Sequence, residues 1–132
     1  SHLNLGIWLL VTGHWREARE RFQAAMSAAE QANEPETQAE ALAMIGQTYI
    51  QTGQTELAQE SFERALAIQE SRKDPLAIGY ALMRLSNAQL DSGQLDQAEK
   101  SLKRSVALVR QVAPEAGGNI VFNLALVYLD QG

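Results

Sequence analysis

The sequence has no cysteine, only three prolines and few aromatic residues among its 132 positions. Without cysteine the chain forms no disulfide and performs no thiol chemistry, and we expect a cytoplasmic protein. No apolar run approaches the ~20 residues that a membrane-spanning helix needs. Basic residues are scarce as well: 11 lysines and arginines stand against 16 acidic residues, which gives a formal net charge of −5. We therefore expect no binding to nucleic acid or to anionic membranes, since both require a cationic surface.

Three similar ten-residue segments recur along the chain at nearly constant spacing. GHWREARERF begins at Gly13, GQTELAQESF begins at Gly53 and GQLDQAEKSL begins at Gly93, while Gly132 occupies a fourth equivalent position. The intervals are 40, 40 and 39 residues. Repetition at such a period indicates stacked pairs of helices.

Small and apolar residues flank each of these glycines at helical spacing. Around the second glycine they are Leu42, Ile45, Gly46 and Tyr49 before it, and Ala58, Phe62 and Ala65 after it. Intervals of three and four residues place each set on one face of a helix. A glycine between two such helices suits a left-handed helix C-terminus and a short reversal of the chain. Small residues such as Gly46 and Ala58 allow the two helix backbones to approach closely.

The pattern predicts an all-α fold of antiparallel helix hairpins. The seven expected helices are residues 2–12, 15–32, 36–52, 55–72, 75–91, 95–112 and 117–131. Asp74 and Pro75 read as an N-cap followed by proline in the first helical position, where a missing donor costs nothing. Because one hairpin cannot bury its apolar face alone, we expect the hairpins to stack into a superhelix whose first helices line a concave groove.

The repeats also predict how the chain is organised. We interpret residues 1–132 as one repeat domain, with repeats at 1–33, 34–73 and 74–113 and a partial repeat at 114–132. Since the last turn glycine has no second helix after it, we expect a fragment of a longer protein. The residues left without a covering helix would be Val121, Leu124 and Tyr128, so we also expect homodimers that form through this apolar stripe.

The pattern L-x-x-I-G-x-x-Y, then glycine, then A-x-x-x-F-x-x-A, which runs from Leu42 to Ala65, resembles the tetratricopeptide repeat (TPR). The usual unit has about 34 residues. The longer period is similar to that of kinesin light chains, Pins-type polarity adaptors and bacterial regulators of the MalT and Rap types. This resemblance implies a right-handed superhelix that holds protein or extended peptide ligands in its groove.

In many members of that family, ligand contacts come from first-helix residues nine and six positions before the turn glycine. The resemblance therefore implies a peptide-binding site formed by Arg84, Asn87 and Asn123, with Tyr80 and Gln47 beside them. An asparagine amide both donates and accepts, and arginine can bind a carboxylate in bidentate fashion. The family's two-lysine clamp for C-terminal carboxylates is not matched, since no lysine occupies those positions. The alternative is that the five residues are ordinary solvated polar positions.

Other candidate chemistry is weak. Two histidines, His2 and His14, without any cysteine form neither a metal site nor a catalytic dyad. Glutamates near Arg16, Arg19 and Arg64 fit a solvated helix surface. We expect no enzyme activity, cofactor or metal, and instead a non-catalytic protein- or peptide-binding scaffold. The alternative is a ligand-sensing or regulatory segment of a larger signalling or transcription regulator. For the two tryptophans, we expect Trp15 to pack on a neighbouring helix and Trp8 to be exposed.

Overall fold

The computed structural model describes residues 2–112, which form six α-helices and no strand. The helices are α1 (His2–Val11), α2 (Trp15–Gln31), α3 (Pro35–Gln51), α4 (Thr55–Arg72), α5 (Pro75–Asp91) and α6 (Leu95–Val112). Each end lies within one residue of its predicted position, so the hydrophobic periodicity located these helices correctly. None of the six is long and apolar enough to cross a membrane. The predicted helix at 117–131 and the turn at Gly132 lie outside the described residues.

The turn glycines join the two helices of each hairpin as predicted. Gly13, Gly53 and Gly93 have φ angles of 84°, 76° and 76°, in the left-handed region. In the second turn the Gln54 amide donates to the carbonyl of Tyr49, five residues back, at 2.8 Å. The same five-residue bond closes the other two turns. This bond and the positive φ of the glycine define a Schellman C-cap, which supplies donors to otherwise unpaired helix carbonyls.

The chain divides into two compact units, Ser1–Gln69 and Glu70–Gly132. In the first unit, the buried residues Leu9, Ala18, Phe22 and Ile45 form a cluster to which α1, α2 and α3 contribute. In the second unit, Leu102, Val106 and Val109 of α6 form a cluster against which Leu76, Met83 and Leu90 of α5 pack. Each unit therefore has its own hydrophobic core within the described residues.

Close contacts at small residues hold the hairpins together. A Cβ atom added to Gly6 would lie 2.6 Å from the ring of Phe22, and one added to Gly46 would lie 2.6 Å from the ring of Phe62. Both rings are buried, so neither has free space to move into. The predicted role of glycine at these crossings is confirmed for α1–α2 and for α3–α4. Ala18, Ala58 and Ala98 on the second helices are fully buried, as the same argument requires.

Candidate functional site

Three of the five predicted site residues share one exposed face of α5. Tyr80, Arg84 and Asn87 follow one another at intervals of four and three residues and are all exposed. Residues at these intervals are neighbours on a helix surface, with Cβ atoms about 5–6 Å apart. We call these three residues the α5 polar face. Its opposite side is buried and contains Leu82, Leu85, Ser86 and Gln89.

The beginning of α5 is fixed by a side-chain cap. Asp74 has an extended backbone conformation, and one of its carboxylate oxygens accepts from the amides of Leu76 and Ala77 at 3.2 and 3.4 Å. Pro75 occupies the first helical position. The predicted N-cap and proline are thus confirmed. The cap satisfies two amides that the helix itself leaves unpaired, and it sets where the first turn of α5 begins.

Packing against α6 fixes the other side of α5. The Ser105 hydroxyl donates to the Gly79 carbonyl at 2.6 Å, and Val109 packs so closely that a Cβ on Gly79 would lie 2.6 Å from its methyl carbon. Near the other end, the Ser101 hydroxyl donates to the side-chain oxygen of Gln89 at 2.9 Å. The α5 polar face is therefore carried by a helix that is held at both ends, and a rigid element positions side chains more precisely than a loop does.

The chemistry of the α5 polar face is that of a polar recognition surface. Tyr80 is 40% exposed and offers a ring face together with a hydroxyl group. Arg84 carries a guanidinium with five donors, and Asn87 carries an amide that donates and accepts. None of the three side chains is buried, so the face reaches solvent without rearrangement of the core.

The other two predicted residues do not belong to the α5 polar face. Gln47 lies on α3 in the first unit and is half-buried. Asn123 lies outside the described residues, as do Val121, Leu124 and Tyr128 of the predicted dimer stripe. The described part of the proposed site is thus the α5 polar face, with Gln47 at the equivalent position of the preceding repeat.

The family follows from comparison with known proteins. The tetratricopeptide repeat family model matches residues 1–71, and a second tetratricopeptide repeat model matches residues 79–109. The chain belongs to the tetratricopeptide repeat family. The helix bounds, the turn glycines and the small residues at the crossings are therefore those of TPR hairpins.

Solved structures show the same fold at low sequence identity. The chain resembles BtubC (BKLC) from P. vanneervenii with a TM-score of 0.85 and 16% identity, over 96% of this chain and 54% of that one. It resembles the TPR-like repeats of a putative kinesin light chain from Podosopora anserina with a TM-score of 0.84 and 20% identity, over 99% and 65% of the two chains. A third structure, the first TPR of Spaghetti (RPAP3) bound to the HSP90 peptide SRMEEVD, gives a TM-score of 0.76 and 15% identity, over 98% and 90%.

The chain spans 54% and 65% of the lengths of the first two of these structures. No curated protein sequence matches it significantly. At 15–20% identity the three likenesses show the fold, and they confirm the all-α TPR architecture that the repeats predicted.

One arginine has a role that the sequence did not reveal. The Arg19 guanidinium of α2 lies 3.8 Å from the centre of the Tyr49 ring on α3. It also donates to the hydroxyls of Thr48 and Thr52 at 2.9 and 3.2 Å. The interpretation of Arg19 as part of a solvated surface is therefore wrong. No sequence signal marks this contact, because it depends on how α2 of one TPR hairpin faces α3 of the next.

The first turn carries an aromatic stack. The rings of Trp8 and His14 are nearly parallel, with centroids 6.4 Å apart, and the Thr12 hydroxyl lies 2.9 Å from His14 Nδ1. Trp8 is 59% exposed, as predicted, whereas Trp15 retains 36% exposure. His14 is thus engaged in organising the turn between the two helices of the first TPR hairpin.

Proposed function

We propose that this TPR chain is a non-catalytic scaffold that binds an extended peptide of a partner protein along its first helices. One observation carries the proposal: Tyr80, Arg84 and Asn87 lie on one exposed face of a helix whose other side is fixed in the core. A similar solved structure supports the proposal, since the first TPR of Spaghetti (RPAP3) is bound to an HSP90 peptide.

The three side chains divide the recognition between them. The Asn87 amide pairs with a peptide unit of the ligand backbone, because it can donate and accept at once. The Arg84 guanidinium, one turn away, binds a carboxylate of the ligand in bidentate fashion. The Tyr80 ring packs on an apolar ligand side chain. Gln47 stands six residues before its turn glycine, as Asn87 does, and Asn123 stands nine residues before Gly132, as Arg84 does. We extend the proposal to both, each as a polar contact to a peptide in its own repeat.

A peptide-display screen followed by titration tests this proposal. Peptides selected by the wild-type chain are titrated against a variant with Arg84→Ala, Asn87→Ala and Asn123→Ala. We expect the triple variant to bind at least about tenfold more weakly, since buried charge-assisted contacts at an interface cost more than 1.4 kcal/mol when truncated. Its melting temperature should stay nearly unchanged, because Arg84 and Asn87 are exposed, and exposed polar residues contribute within ~0.5 kcal/mol to stability.

A matched control separates the site from a general loss of polar surface. Arg110→Ala with Gln111→Ala removes one arginine and one amide from the exposed surface at the end of α6. This control should bind as the wild type does. Equal binding by the wild type and the triple variant would contradict the assignment of the α5 polar face. A large loss of stability in the triple variant would show that its residues act in folding.

A further inference from the structure

The first unit contains a cleft between α2 and α4, which are the second helices of its two hairpins. The cleft has a volume of about 120 Å³ and is lined by Gln23 and Met26 of α2, Leu42, Ile45 and Tyr49 of α3, and Leu57, Glu60, Ser61 and Arg64 of α4. An engineered apolar cavity of about 150 Å³ admits benzene. The cleft therefore has room for one aliphatic side chain of a ligand.

The cleft lies on the other side of α3 from Gln47, the residue of this repeat that was predicted to contact a peptide. Its floor residues Leu42, Ile45 and Tyr49 are spaced by three and four and share one side of the helix. At 100° per residue, Gln47 points about 140° away from Leu42 and further still from Ile45. A ligand in the cleft and a ligand at Gln47 would thus occupy opposite surfaces of the same repeat.

An exposed leucine on the rim is specific to the second repeat. Leu57 is 42% exposed and stands four residues after the turn glycine. The other two repeats have Glu17 and Gln97 at the same position, so the TPR fold does not require an apolar residue there. Single exposed leucines are common on protein surfaces. Leu57, however, adjoins a cleft whose floor includes Leu42 and Ile45, and together these three residues form an apolar seat with polar residues around it.

Charge around the seat is mainly negative. Glu60 lies on the rim, Glu56 stands one turn before it on α4, and Glu30 stands one turn after Met26 on α2. Two positive charges lie nearby: Arg64 on the rim, whose guanidinium nitrogen contacts the Met26 sulfur at 4.0 Å, and Arg19, whose guanidinium lies 3.8 Å from the centre of the Tyr49 ring. Residues 1–69 as a whole carry nine acidic and four basic side chains, whereas residues 70–132 carry seven of each. The negative potential thus belongs to the unit that contains the cleft.

We propose that this cleft is a second docking site, which takes an aliphatic side chain from a cationic segment of a partner protein. The apolar floor and Leu57 hold the side chain, because burying apolar surface is the main favourable term in association. The surrounding carboxylates select lysine or arginine beside that side chain and reject acidic segments, since complementary charge sets specificity and the association rate. The site shares no residue with the α5 polar face.

Fluorescence anisotropy with a labelled synthetic peptide tests the proposal on the whole chain. The probe is a short alanine-based helical peptide with one central leucine flanked by lysines. Two matched peptides replace the leucine by serine or the lysines by glutamate. We expect the leucine–lysine peptide to bind and each matched peptide to bind at least about fivefold more weakly, as the loss of an anchor or of complementary charge implies. Equal binding of the leucine and serine peptides would overturn the proposal.

Variants of the chain locate the bound probe. Leu57→Gln, which installs the residue type of the third repeat, should weaken binding about fivefold. Glu60→Lys should weaken it at least as much. Glu40→Lys makes the same change in charge on an exposed residue of α3 that does not line the cleft, and it should change binding less than about twofold. If Glu40→Lys and Glu60→Lys weakened binding equally, the peptide would be responding to net charge, and the docking site would be refuted.

Circular dichroism of each variant excludes unfolding as the cause. Leu57, Glu60 and Glu40 are exposed, so the helical signal should match that of the wild type. A Leu57→Gln variant that is fully helical and binds the probe with wild-type affinity would also refute the proposed docking site.

Discussion

The second and third hairpins share one repeat pattern, but the glycine at which a neighbouring side chain comes close lies at a different distance from the turn in each. In α3–α4 the contact is between Gly46 and the ring of Phe62, seven residues before and nine residues after the turn glycine. In α5–α6 it is between Gly79 and Val109, fourteen residues before and sixteen after the turn. The second hairpin thus has its close glycine contact near the middle of the helices, and the third has it near the end remote from the turn.

The difference shows that two side chains that face each other in a hairpin must have complementary sizes. At the positions of Gly46 and Phe62 the third hairpin has Ser86 and Leu102, which are both fully buried. A leucine is smaller than a phenylalanine and leaves room for the serine side chain, whose hydroxyl donates to the carbonyl of Met83 at 2.6 Å. The repeat therefore keeps the helix crossing while it exchanges one complementary pair for another.

The largest effect is expected from Gly46→Ala. The new methyl group would lie 2.6 Å from the Phe62 ring, which is 3% exposed and cannot turn away. Overpacking of this kind lowers the free energy of unfolding by ~1–3 kcal/mol. That loss should exceed the gain of about 1 kcal/mol that alanine has over glycine in helix propensity. Urea titration followed by circular dichroism measures the difference.

A double-mutant cycle connects this result to the third hairpin. In a Phe62→Leu background, Gly46→Ser reproduces the Ser86–Leu102 pair, and the penalty of the added side chain should largely disappear. A penalty that is the same in both backgrounds would show that Phe62 is not what limits the size of residue 46.

A smaller effect is expected from Gly79→Ala. Here the added carbon would meet a single methyl group of Val109 at 2.6 Å, while the Ser105 carbonyl oxygen lies farther off at 3.5 Å. We expect a loss of ~1–2 kcal/mol in unfolding free energy. Val109→Ala should remove the additional penalty of Gly79→Ala while carrying its own cavity cost. A stabilising Gly79→Ala in the wild-type background would contradict the close contact.

The smallest effect compares the N-caps of α5 and α3. Asp74 accepts from two amides of α5, whereas Glu34 at the same place before α3 makes no side-chain cap. We expect Asp74→Ala to cost about 1 kcal/mol, as the loss of an aspartate cap usually does. Glu34→Ala should change stability by no more than a few tenths of a kcal/mol. Thermal unfolding of the two variants side by side checks this, and equal losses would show that the Asp74 hydrogen bonds do not matter.

Local signals made the fold predictable. A turn glycine needs only its own φ, and a cap such as Asp74 needs only the next three residues, so both are written in short stretches of sequence. The spacing of Tyr80, Arg84 and Asn87 on one face followed in the same way from helix periodicity.

Some contacts between different helices could not be predicted from the sequence. The stacking of Arg19 on Tyr49 joins residues 30 positions apart, and the Gly79–Val109 contact joins residues with the same separation. The cleft beside Leu57 needs side chains from three helices. Each depends on the rotation of one helix against another, which periodicity alone does not fix.

The aromatic stack in the first turn has a practical consequence for measuring how this array melts. The chain has two tryptophans, Trp8 and Trp15, and both belong to the first hairpin. Indole emission therefore reports on the first hairpin of this chain, while the far-ultraviolet helical signal sums over every hairpin. In a repeat protein, stability is roughly a sum of terms from each repeat and its neighbours, so the end repeats can open first. The emission curve should then fall before the helical curve, and the gap between them measures how strongly adjacent repeats are coupled.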